Sequence, residues 1–144
     1  LAVADRYFSP SETQELFSLP IEQQRQRFFD YWTLKESYIK AWGLGLAIPL
    51  RDFTFNIAPF NSKHLRSHLN DSTINDEITI NNNISLTFAE HRIDEPKLWR
   101  SWLFYPNNKH RIALSLRAKS DNQSIKYRFR FFNSIPLINC IEIK

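Results

Sequence analysis

The spacing of apolar residues changes near residue 49 of the chain. Between residues 28 and 42, apolar side chains recur at 28, 29, 32, 39 and 42, close to the 3.6-residue period of an α-helix. Pro20 in front of this segment and Gly43 behind it predict a long helix from about Ile21 to Trp42. After residue 49 the pattern alternates with a period of two, which is typical of half-buried strands.

A shorter helix is predicted in front of the long one. Ser9 can accept a hydrogen bond from the first turn, and Pro10 suits the first helical position. Glu12 completes a capping box with Ser9. We expect this helix to end near Phe17, before Pro20.

The second part of the chain predicts several strands. Alternation or dense apolar composition marks residues 53–57, 84–88, 99–105 and 112–116, and Pro106-Asn107-Asn108 predicts a hairpin turn between the last two. Residues 126–132 and 137–143 are further candidates, whereas the Asn-rich segment 61–83 is expected to be a loop with a turn at 81–83. The predicted fold class is α+β, with the long helix packed on one face of an antiparallel sheet.

Composition favours a folded domain with a mild basic bias. Of the 144 residues, 42% are hydrophobic and 15% aromatic, which is enough for a substantial core and argues against disorder. The net charge of +4 favours acidic partners, namely phosphates, nucleic acid or an acidic protein, although an ordinary basic surface gives the same number. No run approaches the roughly 18 apolar residues that a membrane span needs.

Cysteine and methionine usage bears on the compartment and the origin of the chain. The single cysteine, Cys140, excludes an internal disulfide framework and fits a reducing compartment, so a cytoplasmic location is expected. Methionine is absent, including at position 1, and a trimmed initiator in front of Leu1 would be unusual. The sequence therefore indicates a piece of a longer product from which an N-terminal part is missing.

The candidate chemistry lies near the end of the long helix. Glu36 and Lys40 are four residues apart and share a helix face, which suits a metal ion beside a phosphate. The alternative is a surface salt bridge that contributes about 0.2–0.5 kcal/mol. Trp32 and Phe29 lie on the same side, whereas Lys35 points about a hundred degrees away and is expected to be peripheral.

Two motifs in this region resemble those of the 4′-phosphopantetheinyl transferases, in particular the larger, pseudo-dimeric type that activates peptide and polyketide synthases. The first is the run Trp32-Thr33-Leu34-Lys35-Glu36-Ser37-Tyr38-Ile39-Lys40, followed by the turn Gly43-Leu44-Gly45-Leu46. The second is Arg6-Tyr7-Phe8-Ser9-Pro10-Ser11-Glu12. The resemblance is close from about Leu1 to Phe55, fades to a pattern by about Leu116 and does not extend over the last 28 residues.

The resemblance implies an activity and roles for two residues. Such enzymes transfer phosphopantetheine from coenzyme A to a serine of an apo carrier protein. The position of Glu36 implies a Mg²⁺ ligand and a candidate general base, and the position of Lys40 implies a contact with the coenzyme A phosphates. Both are therefore the expected catalytic residues.

The resemblance also implies that the site is incomplete in this chain. The family's Asp-x-Glu pair, which supplies other metal ligands, belongs before Arg6, and no such triplet is present there. Asp71 and Asp76 lie in the wrong place to substitute for it. The chain therefore resembles the C-terminal half of a pseudo-twofold enzyme, and residues 1–144 alone are expected to be inactive.

Other interpretations remain open at this point. The segment before the long helix implies a docking surface for an acidic carrier protein, with Arg6, Phe8, Arg25 and Arg27 as candidates, but a solvated basic face fits as well. A non-catalytic module that binds acidic proteins is an alternative to the enzyme. The alternating cations and aromatic residues of 126–132 could bind nucleic acid, although a half-buried strand explains them better. His64 and His68 have helical spacing for zinc but no evident third ligand.

Overall fold

In the described part of the chain the α-helices come first, and the strands follow from Phe53 onwards. The computed structural model describes residues 3–59, 63–66, 77–121, 125–135 and 139–143; for 63–66, 131–135 and 139–143 it describes the backbone. Within these ranges the helices are α1 (Ala4–Tyr7), α2 (Pro10–Ser18) and α3 (Ile21–Trp42). The part of the chain so described contains no helix with the length and apolar character that a bilayer crossing requires.

The helix boundaries follow the predicted caps. The side chain of Ser9 accepts from the backbone of Glu12, whose carboxylate accepts from the backbone of Ser9, which confirms the capping box of α2. Gly43 adopts the left-handed conformation with φ of 72° and ends α3 at Trp42, as predicted. The four residues of α1 were not predicted, because a single turn is too short to show an apolar period.

The described strands form three antiparallel sheets, where the sequence predicted one. β1 pairs with β4, β7 pairs with β8, and the remaining four strands lie in the order β2-β3-β5-β6. The segment 61–83 was expected to be a loop but contains two strands, and the predicted turn at 81–83 links β3 to β4. The strands are β1 (Phe53–Ile57), β2 (Lys63–Arg66), β3 (Glu77–Asn81), β4 (Ile84–Phe88), β5 (Trp99–Tyr105), β6 (Ile112–Arg117), β7 (Phe131–Ile135) and β8 (Asn139–Ile143).

The long helix packs on the β5–β6 hairpin, which confirms the predicted α+β arrangement. The small residues Ala113 and Ser115 of β6 allow α3 to approach closely, and the hydroxyl of Ser37 lies 2.7 Å from that of Ser115. Leu34 and Leu103 are fully buried in this interface region. The main core therefore lies between α3 and one face of the sheets.

A second, smaller core lies on the opposite face of β5. Trp102 and Phe104 point away from the main core and are covered by Tyr127 and Phe129, with ring centroids about 5 Å apart. The predicted strand over 126–132 is therefore mostly wrong, because residues 126–130 form no ladder and β7 begins only at Phe131. The alternation is real, but it reflects aromatic side chains that cover a sheet face rather than strand pairing.

A buried ion pair joins both main helices to the first strand. The ammonium of Lys35 lies 2.8 Å from the carboxylate of Glu12, and the two side chains are 1% and 0% exposed. Lys35 also donates to the carbonyls of Leu50 and Phe53, each at 2.7 Å. Its three N–H donors thus have three acceptors, which is the full capacity of an ammonium.

The carboxylate of Glu12 likewise has several hydrogen-bond donors around it. Besides Lys35, it accepts from the backbone of Ser9 at 2.9 Å and from that of Phe55 at 2.8 Å. The expectation that Lys35 is peripheral is therefore wrong: it lies in the core, where its ammonium also faces the ring of Phe53 at 4.3 Å. Burial lowers the pKa of Lys35, and the neighbouring Glu12 carboxylate opposes that shift.

Removing the ammonium should destabilise the fold strongly. In Lys35→Met the carboxylate of Glu12 would stay buried without its counter-ion, and we expect a loss of about 3–5 kcal/mol in the free energy of unfolding. Lys40→Met on the same helix is the matched control, because Lys40 is 76% exposed; it should cost less than about 0.5 kcal/mol. Denaturant titration measures both, and equal stabilities of the two variants would contradict the role given to Lys35.

Candidate functional site

Glu36 and Lys40 lie together on the outer face of α3, as their spacing predicted. The Lys40 ammonium is 3.6 Å from the Glu36 carboxylate, and the side chains are 76% and 31% exposed. An ion pair this long and this exposed contributes little to stability, so both groups are available to other partners. The pair can therefore present a cation and an anion side by side to a ligand.

An aromatic surface leads up to this pair. Trp32 lies one turn before Glu36, stacks on Phe28 with centroids 6.1 Å apart and meets the ring of Tyr7 edge-on at 6.0 Å. Phe29 is 43% exposed. The predicted grouping of Phe29 and Trp32 on the Glu36 side of the helix therefore gives one half-exposed apolar surface beside the charged pair.

The chain beyond the pair turns sharply and leaves open space. Gly43 and Gly45 have φ of +72° and +56°, which side chains other than glycine rarely adopt. A Cβ at either position would meet nothing within 4 Å. There is thus open space beside the backbone of Gly43 and Gly45, which suits the approach of a ligand.

The described residues offer Mg²⁺ one carboxylate near the helix end. Mg²⁺ retains several waters when it binds proteins and commonly takes one or two carboxylates together with phosphate oxygens. Glu36 fits such an open site. Among the residues with described positions, no group of three or more His, Cys, Asp and Glu could hold a metal. The zinc alternative falls outside this test, because His68 and the side chain of His64 lie outside the described parts. Asp71 and Asp76, which were considered in place of the Asp-x-Glu pair, lie outside them as well.

The four docking candidates do not share one environment. Arg6 and Arg25 are exposed, whereas Arg27 pairs with Glu15 at 3.5 Å. Phe8 is fully buried and packs against Phe28 with centroids 5.1 Å apart. A side chain in that position cannot contact a partner protein, so Phe8 belongs to the core and not to a docking surface.

The aromatic rings of the basic segment 126–130 are half-buried, which limits the faces that could stack on bases. Lys126 and Arg128 are exposed, but Tyr127 and Phe129 pack edge-on against Trp102 at 5.0 and 5.1 Å. Single-strand binding by such segments depends on open aromatic faces. The geometry therefore disfavours the nucleic-acid interpretation of this stretch.

Comparison with known families decides the assignment. The family model of the 4′-phosphopantetheinyl transferase superfamily matches residues 1–115, which include all three helices and the Glu36–Lys40 pair. The chain belongs to this superfamily. The match ends within β6, so the segment from residue 116 onwards lies outside it.

Curated members of the superfamily match the chain over shorter stretches. The 4′-phosphopantetheinyl transferase psf-1 of Bacillus pumilus is 41% identical over 66 residues, covering 46% of this chain and 28% of the relative. HetI of Nostoc sp. is 52% identical over 46 residues, covering 32% and 19%. Sfp of Bacillus subtilis is 37% identical over 57 residues, covering 40% and 25%. The chain thus aligns with between 19% and 28% of the length of these transferases.

A second carboxylate on α3, that of Asp30, is held in an ion pair and is not available to a ligand. Asp30 pairs with Arg111 at 2.9 Å, and both side chains are about 10% exposed. Burial raises the pKa of Asp30 to about 6, although the Arg111 guanidinium opposes the shift. Because Arg111 directly precedes β6, this pair fixes the first half of α3 to the hairpin. No sequence motif pointed to it.

The raised pKa of Asp30 predicts an unusual pH dependence of stability. Between about pH 4 and 6 the folded protein keeps a proton that the unfolded chain loses, so the free energy of unfolding should fall as the pH rises, by at most about 3 kcal/mol. Asp30→Asn should remove this slope. Asp121→Asn, at an exposed pair with Arg100, should leave it unchanged. Stability that rises over this window and is lowered by Asp30→Asn would contradict the assignment.

Proposed function

We propose that the protein containing this chain transfers 4′-phosphopantetheine from coenzyme A to a serine of an apo carrier protein in a Mg²⁺-dependent reaction. One observation supports this above the others: the superfamily match spans the helix on which the side chains of Glu36 and Lys40 lie side by side, at least partly exposed and only weakly paired with each other. The matched relatives bear the name of this activity.

Glu36 would bind the metal and accept a proton. When bound, Mg²⁺ neutralises charge on the diphosphate that is cleaved. The Glu36 carboxylate is partly exposed and has one exposed ammonium beside it, so an oxygen is free to bind a cation. The same carboxylate is the candidate general base that accepts the proton of the carrier serine hydroxyl.

Lys40 would bind the phosphates of coenzyme A. Its ammonium is mostly solvated and lies one helical turn beyond Glu36, so it can turn toward an anion without breaking a buried contact. A point charge of this kind is a common phosphate ligand. Glu36 and Lys40 would then contact the same diphosphate, one through the metal and the other directly.

The remaining groups would come from another part of the protein. Further Mg²⁺ ligands and the residues that hold the 3′-phosphate are expected in an N-terminal half related to this one by a pseudo-twofold axis. The 144-residue chain alone is accordingly expected to be inactive. Robust transfer by this chain would contradict that division of the site.

The carrier protein would dock on the basic surface before and along α3. Carrier proteins of this kind are expected to be acidic, and Arg6 and Arg25 are exposed cations near that surface. Arg27 is a weaker candidate, because its guanidinium is shared with Glu15. Arg6 and Arg25 are therefore the residues to test.

Loss of the Glu36 charge should slow transfer strongly. In the full-length enzyme, Glu36→Gln should lower kcat by about 10²–10⁴-fold, since it removes a metal ligand and a base while keeping the shape of the side chain. Glu22→Gln, at an exposed acid in the first turn of α3, is the control. The measurement is incorporation of phosphopantetheine into an apo carrier. Undiminished transfer by Glu36→Gln would exclude the proposed role.

Charge reversal at the docking surface should weaken carrier recognition selectively. Arg25→Glu should raise KM for an acidic carrier by about tenfold at low salt and leave KM for coenzyme A unchanged. The difference from the wild type should shrink at high salt, because exposed charges are screened. Arg128→Glu makes the same charge change outside the family match and serves as the control. An equal effect of both reversals would indicate a non-specific charge effect.

A further inference from the structure

The buried carboxylate of Asp94, which lies outside both sequence motifs, is hydrogen-bonded to the last part of α3. Asp94 lies in the connection between β4 and β5, and its side chain is 0% exposed. It accepts from the hydroxyl of Tyr38 at 2.7 Å, the indole of Trp99 at 3.0 Å and the backbone of Glu95 at 2.8 Å. Arg117 lies 3.6 Å from Oδ1, the oxygen that also accepts from the Glu95 amide. This set of donors gives Asp94 a fixed position.

The Tyr38 hydroxyl is held from two sides. It donates to Asp94 and accepts from the guanidinium of Arg92, whose two nitrogens lie 3.1 and 2.9 Å away. The ring packs against Phe53 and Trp99 with centroids 4.4 and 4.6 Å apart. Burial, with a contribution from Asp94, raises the pKa of Tyr38 to about 12, so the hydroxyl keeps the proton that it donates.

The position of Tyr38 on α3 connects this network to the candidate site. Tyr38 lies midway in sequence between Glu36 and Lys40, and each step of two residues turns the helix by about 200°. The hydrogen bonds of Tyr38 therefore hold the face of α3 that lies opposite Glu36 and Lys40. Apolar contacts alone are non-directional and permit small rotations, whereas hydrogen bonds to a fixed hydroxyl resist them.

We propose that Asp94 and Arg92 are positioning residues for the transfer reaction. Through the hydroxyl of Tyr38 they fix the rotation of the last two turns of α3, and this sets where Glu36 and Lys40 point. The inference rests on the function proposed above for that pair. Neither residue touches the pair itself, and their effect is transmitted by Tyr38.

Hydrogen exchange tests the network without reference to activity. In the full-length protein, Tyr38→Phe and Asp94→Asn should speed amide exchange over residues 37–43 by roughly tenfold or more, the factor that corresponds to losing a hydrogen bond to a charged group. Exchange over residues 24–31 should be unchanged. Tyr38→Phe removes one oxygen and keeps the ring, so it remains informative if Asp94→Asn fails to fold.

Asp30→Asn is the matched control for this experiment. It alters another buried carboxylate, which lies on α3 itself, about two turns before Glu36. It should leave exchange over residues 37–43 and the kinetics of transfer at their wild-type values. A general loosening of the fold would instead raise exchange in this control as well, and that result would overturn the proposal.

The kinetics of phosphopantetheine transfer provide the second test of the positioning role. Tyr38→Phe should raise the Mg²⁺ concentration for half-maximal transfer by about tenfold, and saturating Mg²⁺ should restore most of kcat, because the Glu36 ligand is displaced rather than removed. Unaltered exchange over 37–43 in both network variants, or altered exchange with unaltered Mg²⁺ dependence, would overturn the positioning role. Undiminished transfer by Glu36→Gln would instead show that the proposed function has failed.

Discussion

The buried ion pair of Lys35 and Glu12 connects α2, α3 and the start of β1. Taking two charges out of water is costly, and it is tolerated here because nearly every donor and acceptor has a partner. The pair also orders backbone: Lys35 holds two carbonyls, and Glu12 holds the amides of Ser9 and Phe55. These bonds are directional, so they fix the helices relative to the strand in a way that apolar packing cannot.

The inward position of Lys35 determines where the candidate chemistry lies. Adjacent helix residues differ by about 100° in direction, so fixing Lys35 in the core turns Glu36 toward the surface. A single motif thus supplies a structural cation, Lys35, and the anion that we propose as the metal ligand, Glu36. Two further contacts hold the same helix from behind, Asp30 with Arg111 before the pair and Tyr38 with Asp94 beside it. The Asp30 contact holds the first half of α3, whereas Lys35 and Tyr38 hold the segment that carries Glu36 and Lys40. Glu36 and Lys40 themselves are only loosely paired.

Local sequence patterns were sufficient to predict the helices but not to predict which charged side chains are buried. The capping box, the left-handed Gly43 and the apolar period predicted α2 and α3, because each depends on near neighbours in sequence. The core position of Lys35 depends on Leu50 and Phe53, which only the tertiary fold brings close. For the same reason Asp94 carried no signal. The segment 126–130 shows the converse, since a correct alternation of buried and exposed side chains did not establish which partner covers them.

NMR of the nitrogen-labelled lysine ammonium groups, recorded with and without coenzyme A and Mg²⁺ on the full-length protein, tests most directly the division of roles within the motif. Lys35 should give a charged ammonium whose protons exchange slowly with water and whose resonance does not move when the ligands are added. Lys40 should exchange rapidly in the free protein and shift on binding. A Lys35 resonance that exchanges rapidly, or that shifts with coenzyme A while Lys40 does not, would contradict the account.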